Sequence, residues 1–124
     1  MSVPEHCEHV WIAAVGSVKL FPNLEAALKG VFNRVLTTLD LINNNIGPEG
    51  AIAIAEALKV NAVMTELVLG VNKIGDEGAK VIAEALKVNA VLTKLDIGYN
   101  NMGDAGKKAV RDAVKDRSGF VLEL

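Results

Sequence analysis

The residues with the most obvious chemical capacity sit near the start of the chain. His6, Cys7 and His9 lie together, flanked by Glu5 and Glu8. Imidazole, thiolate and carboxylate are all metal ligands, but a structural zinc site takes four of them at recurring spacings. This run fits no such spacing and lacks a fourth fixed ligand, since the chain holds one cysteine and two histidines in all. It reads as a polar, frayed terminus. Nucleophilic chemistry has no better footing. Ser2, Ser17 and Ser118 lie in no nucleophile motif, and both histidines are in the terminal run. No G-x-x-x-x-G-K-[ST] phosphate loop occurs. Asp76, Glu77 and Asp104 stand where helices are expected to begin, and the positive end of a helix dipole accounts for them. The glycines at 47, 50, 75, 78, 103 and 106 recur at a fixed interval and are expected to serve turns. No constellation meets the geometric roles of an active site. The expectation is therefore no enzyme, no metal and no cofactor.

That fixed interval is the dominant feature of the chain. Met64–Val91 is the cleanest copy of a 28-residue unit; Leu36–Val63 matches it at 19 of 28 positions and Leu92–Gly119 at 10 of 28. A period in the 20–50-residue range signals a stacked array, in which each unit buries its apolar face against the next. Every copy opens on L-x-x-L-x-L-x-x-N-x-I or a close variant: Leu36, Leu39, Leu41, Asn44, Ile46; Met64, Leu67, Leu69, Asn72, Ile74; Leu92, Leu95, Ile97, Asn100, Met102. The alternation Leu39/Leu41, Leu67/Leu69, Leu95/Ile97 has period 2 and predicts a short strand with one buried face. Asn44, Asn72 and Asn100 follow where the chain must turn. A buried amide there can satisfy backbone groups of neighbouring turns, so a structural role is expected.

The second half of each unit predicts a helix. Gly47-Pro48-Glu49-Gly50 and Gly75-Asp76-Glu77-Gly78 resemble helix starts, with Pro48 in the first turn. Ala51, Ile54, Ala55 and Leu58 then fall at i, i+3, i+4 and i+7, as do Ala79, Ile82, Ala83 and Leu86, giving one apolar stripe per helix. The alanines keep the helices thin enough to stack. Asn61 and Asn89 mark the exits into the next strand. On these residues the chain resembles the leucine-rich repeats of the ribonuclease-inhibitor type, and the sensor arrays of NOD-like receptors. The resemblance covers Leu36 to about Gly119. It implies an α/β solenoid, a short horseshoe arc with parallel strands on the concave face and three or four helices on the convex face. It is specific for fold and weak for function, because this fold hosts many partners.

At 124 residues the chain is expected to be a single domain. Residues 1–35 form a tail and a degenerate capping unit, and residues 36–124 form three 28-residue repeats plus a terminal strand. Val10–Val15 suits a short strand or a helical turn, Phe21-Pro22-Asn23 a helix entrance, and Leu24, Ala27, Leu28, Val31 and Phe32 a helical stripe. Trp11, Phe21 and Phe32 are expected to cover the apolar end of the stack. In the third repeat Lys107 and Arg111 replace Ala79 and Ala83, as an outward-facing terminal helix should. Phe120–Leu124 reads as a fourth strand, with one residue inserted relative to the period. An exposed strand edge there would allow homo-oligomerisation. The core is aliphatic, since 51% of residues are hydrophobic but only 4% aromatic. A net charge of −2 without a basic block disfavours nucleic acid and anionic membranes as partners. The lone Cys7 and the absence of a basic-then-apolar leader point to the cytoplasm.

Function is then expected on the strands. Side chains that alternate away from the core are Thr38, Asp40 and Ile42; Glu66, Val68 and Gly70; Lys94, Asp96 and Gly98. Asn43, Val71 and Tyr99 come just beyond. The repeats differ most along these rows and least in their helices, which is how a binding surface on a constant scaffold would look. The partner-binding candidates are Thr38, Asp40, Ile42, Glu66, Val68, Val71, Lys94, Asp96 and Tyr99, with Tyr99 the foremost because tyrosine is enriched in hot spots. Four strands of about five residues at roughly 4.8 Å spacing give a face of some ~300 Å². A standard interface needs about 800 Å² per partner, so flanking loops, dimerisation or a longer array would have to contribute. The reading is a non-catalytic scaffold that binds a protein. Two alternatives are a regulator of a small GTPase, as the resemblance to Ran-type activators implies, and a self-associating fragment of a larger sensor. The activator would need an arginine beside the face, and Arg34, Arg111 and Arg117 are all expected elsewhere.

Overall fold

The computed structural model describes residues 10–14, 17–21 and 38–124. Strands β1 (Val10–Ala14) and β2 (Ser17–Phe21) pair antiparallel, with Val10 opposite Phe21 and Ala14 opposite Ser17. The first is the strand allowed for at Val10–Val15. The second was not expected: Phe21, read as part of a helix entrance, instead ends a strand. Its signal was the alternation of Val18 and Leu20 with Ser17 and Lys19. The metal-like cluster at residues 5–9, the stripe from Leu24 to Phe32 and, with Phe32, the expected cap as a whole lie outside the described residues.

The repeats give β3 (Thr38–Asp40), α1 (Gly47–Val60), β4 (Glu66–Val68), α2 (Gly75–Val88), β5 (Lys94–Asp96), α3 (Asp104–Val114) and β6 (Val121–Glu123). The four strands β3-β4-β5-β6 form one parallel sheet in chain order, and β1 lies alongside β3 in a separate sheet. The helices stack in the same order on one side of it. This is the short α/β solenoid the periodicity predicted. The strands are three residues long rather than five. The backbone ladder nevertheless continues past them, with Leu41 N donating to Val68 O, Asn43 N to Gly70 O, Leu69 N to Asp96 O and Val71 N to Gly98 O.

Leu39, Leu41, Leu67, Leu69, Leu95 and Ile97 are all completely buried, as are Ile54 and Ile82 from the helices. Each such side chain contributes about 1.5–3 kcal/mol of transfer free energy. Three turn expectations need correcting, the first being Gly50, which lies buried within α1. Gly47 and Gly75 do turn the chain, at φ of 72° each. Gly78 and Gly106 instead lie in the first turns of their helices, where a Cβ would meet the neighbouring unit. At Gly78 it would run into Ile74 Cγ2 of its own unit and sit 3.0 Å from Ala51 Cβ, and at Gly106 it would run into Asp76 Oδ1 and sit 3.2 Å from Ala79 Cβ. These two glycines set how closely the helices pack.

The last strand also departs from expectation. Val121 pairs with Lys94, Leu122 with Leu95 and Glu123 with Asp96, a step of 27 residues. One residue is missing relative to the period, not inserted. α3 spans 11 residues where α1 and α2 span 14. The chain then closes through Arg117 N to Val114 O and Phe120 N to Arg117 O. The shortened return keeps Leu122 in line with Leu95, so the apolar row of the sheet continues.

Candidate partner-binding face

The strand face is held by two hydrogen-bonded spines. At its upper end Asn72 donates Nδ2 to Leu41 O (2.8 Å), Leu69 O (3.0 Å) and Gly70 O (3.1 Å). Its Oδ1 accepts Asn44 N–H (2.8 Å) and Ile46 N–H (3.3 Å). Asn100 repeats every one of these contacts one unit on, to Leu69, Ile97 and Gly98 carbonyls and to the Asn72 and Ile74 amides. Both side chains are buried, and no buried side-chain nitrogen or oxygen among the described residues lacks a partner. At the lower end Asn89 donates to Leu58 O and Asn61 O, while Asn61 and Asn89 each accept two amides at the start of the next strand segment. Arg117 stands where a third asparagine of this series would fall. Its Nη1 donates to Leu86 O and Asn89 O and its Nη2 to Leu92 O, and Phe120 packs on the guanidinium at 4.8 Å. Burial holds the Arg117 pKa below the usual arginine value. Sequence reasoning passed over this role; the equivalence of position 117 to 89 was its only signal.

Asp76 stands in the first turn of α2, as expected. Beyond any dipole interaction, its Oδ1 accepts the amides of Gly103 (2.8 Å) and Gly106 (2.9 Å), so a side chain of α2 caps the start of α3. On the outer helix side Lys108 hydrogen-bonds Asp112 and holds its carboxyl below the ordinary aspartate value. Of the arginines, Arg111 is exposed on α3 and Arg117 is engaged in the spine; neither reaches the strand face. Arg34 lies outside the described residues.

With the backbone satisfied by these spines, the outward side chains are free to differ. Thr38, Glu66 and Lys94 form one row across β3, β4 and β5, and Asp40, Val68 and Asp96 the next. All six are half-buried between neighbours and alternate with buried leucines. β6 extends both rows with Val121 and Glu123. Lys94 is shared between Glu66 (3.6 Å) and Glu123 (3.7 Å). Glu123 thus joins the face, although the sequence reading did not name it. Asp40 Oδ1 accepts Ile42 N–H and Asp96 Oδ1 accepts Gly98 N–H, turning the chain at the strand ends. Beyond that turn Ile42 is 50% exposed, Val71 44% and Tyr99 90%. Asn43, Val71 and Tyr99 all adopt left-handed backbone, at φ 55°, 57° and 56°. Tyr99 further lines a cleft of about 310 Å³ with Asn100, Asn101, Met102, Lys107 and Leu124. The structure therefore brings all nine expected contact residues to one side of the sheet or to its rim.

Comparison with known proteins bears on what such a face does. A family model described as Leucine Rich repeat matches residues 32–55, 60–83 and 88–110, more than half of the chain. No curated protein matches closely enough to serve as a relative. Among solved structures, one titled Leiomodin-1 Actin-Binding Site 2 superposes with a TM-score of 0.65 at 25% identity. The match covers 81% of this chain and 57% of that one, so the chain spans little more than half its neighbour's length. No helix among the described residues is long and apolar enough to cross a membrane.

Proposed function

Because this chain belongs to the leucine-rich repeat family, we propose that it is a non-catalytic protein-interaction module that takes its partner on the concave strand face. The observation that carries the reading is the contrast between spine and face. Asn72 and Asn100 make identical contacts one repeat apart, while the side chains they support change in charge, size and polarity at every step. The 28-residue β-α unit further favours the ribonuclease-inhibitor subtype, and the single Cys7 favours a reducing, cytoplasmic setting.

Contacts extend beyond the strands to the rim of Ile42, Val71 and Tyr99, because the strands alone fall short of a standard interface. The similarity to a structure titled as an actin-binding site makes actin the first defined partner to try. The test compares wild type with a Val68→Arg, Asp96→Arg, Tyr99→Ala variant whose circular dichroism and Tm match wild type. Both are assayed for co-sedimentation with filamentous actin, binding to monomeric actin, and capture of proteins from native lysate. A specific partner held by wild type and lost by the variant is the expected result. A partner retained equally by both overturns the concave-face assignment.

A further inference from the structure

The second row of the strand face has a spacing that selects among partner shapes. Asp40, Val68 and Asp96 sit on adjacent parallel strands in register. Strands lie about 4.8 Å apart, which puts the two aspartates roughly 10 Å from one another with the valine midway. Each aspartate uses Oδ1 to hold a backbone amide. Among the described residues no ion pair involves either aspartate, and Lys94 is already shared by Glu66 and Glu123. The face thus offers four carboxylates, Asp40, Glu66, Asp96 and Glu123, to one ammonium, and its complement is cationic.

Two cations about 10 Å apart, on the same side of a chain and with an apolar group between them, describe an α-helix. Seven helical residues rise about 10.5 Å and return to nearly the same face, and the residues at i+3 and i+4 fall between. An extended segment fails the same test. Three residues span roughly 10 Å but put the two side chains on opposite faces, while two or four residues give about 7 or 13 Å. Gly70 and Gly98, beside the aspartate row, are buried, the first under the Ile42 side chain and the second beside Asp96 and the Leu124 backbone, and Ile42, Val71 and Tyr99 stand along the rim beyond. Val71 and Tyr99 hold left-handed backbone that bulky side chains disfavour, and their exposure shows that packing within this chain does not compensate for it.

We infer that the strand face receives a basic amphipathic α-helix of a protein partner, laid across the strands. Its cations, seven residues apart, sit over Asp40 and Asp96, the intervening apolar residue rests on Val68, and its flank lies against Val71 and Tyr99. This rests on the reading that the strand face binds protein. The probe is a lactam-stapled, fluorescein-labelled helical peptide with arginines seven apart and leucines three and four after the first. A stapled control has the same composition with the arginines five apart, on different sides of the helix. Binding to the full chain is read by fluorescence anisotropy. The matched peptide binds at least about tenfold more tightly than the control, and Asp40→Asn or Asp96→Asn abolishes the preference. Equal affinity for the two peptides, or binding of neither, overturns the helix assignment. A matched peptide that binds Val68→Arg as well as wild type overturns the strand-face reading itself. A specific partner lost from the triple variant, with no preference between peptides, sinks only the helix.

Discussion

Replacing Asn72 by alanine tests whether the asparagine spine carries the stability of the array. Five hydrogen bonds disappear, but their loss is not uniform. Leu69 O keeps Asn100 Nδ2, and Gly70 O keeps the amide of Asn43. The groups left without a protein partner are Leu41 O, Ile46 N–H and Asn44 N–H. Asn44 is half-exposed, so water reaches its amide; Leu41 and Ile46 are completely buried. An orphaned buried group costs about 1–3 kcal/mol. The Ile46 bond is long at 3.3 Å, which places it low in that range. The two together imply a loss of about 3 kcal/mol, out of a total that for domains is typically about 5–15. At roughly 4–8 °C per kcal/mol for a domain near this size, Tm falls by about 12–24 °C. Urea unfolding followed by circular dichroism, extrapolated linearly and compared at unchanged m, measures it. Asn44→Ala is the internal control. Among the described residues that side chain makes one donated bond, to Ile42 O at 3.1 Å, and its removal costs about 1 kcal/mol or less. If Asn72→Ala falls within 1 kcal/mol of wild type, or matches Asn44→Ala, the spine is not what holds the strands in register.

Gly106→Ala exchanges a poor helix former for the best one, a gain of about 1 kcal/mol on propensity alone. The new methyl would collide with Asp76 Oδ1 and crowd the Asp76 backbone and Ala79 Cβ, so the net effect is a loss of about 1–3 kcal/mol. A stabilised Gly106→Ala protein would refute the close approach of α2 and α3. Val71→Asn installs the residue that the first repeat carries at Asn43, where the left-handed backbone is tolerated. It raises stability by roughly 1 kcal/mol in the same urea assay and weakens partner capture; unchanged stability would remove strain from the account of this rim.

Most of the repeated architecture was legible because it is periodic. A leucine at every second strand position and an alanine-rich stripe at helical spacing have one physical solution when they recur every 28 residues. The asparagines were legible in kind, since a buried amide at a turn must be bonded. What escaped were contacts made between units by residues of another expected role. Asp76 lies in a first helical turn, where the dipole is a sufficient local reason, and only three-dimensional stacking puts it against Gly103 and Gly106. Arg117 looks like a surface charge until it is aligned with Asn89. The register of β6 was missed by two residues because the shortening lies in the helix before it, which carries no sharp stop signal until Ser118-Gly119. The face itself could be enumerated from alternation alone, and a slip of two residues leaves Glu123 pointing outward, but its place opposite Asp96 depends on the register.

The division of labour between spine and face explains why side-chain identity is cheap along the strands and expensive in the turns that follow them, where positions 43, 71 and 99 and positions 45, 73 and 101 hold left-handed backbone. Thr38, Glu66 and Lys94 sit on ordinary extended backbone, so exchanging them alters contacts with a partner and little else. Their mutual ion pairs are partly exposed and worth at most about 1 kcal/mol each. Positions 43, 71 and 99 differ. The turn that follows each strand holds left-handed backbone there in all three repeats, and at two of the positions the amide continues the ladder: Asn43 N to Gly70 O and Val71 N to Gly98 O. Asparagine accommodates that geometry, whereas valine and tyrosine resist it. Val71 and Tyr99 therefore oppose the fold locally while exposing large surfaces to solvent, at the rim where the strand face would otherwise be too narrow to hold a partner. On the proposed reading of this rim, stability and recognition compete at those two positions, and substitutions there move them in opposite directions.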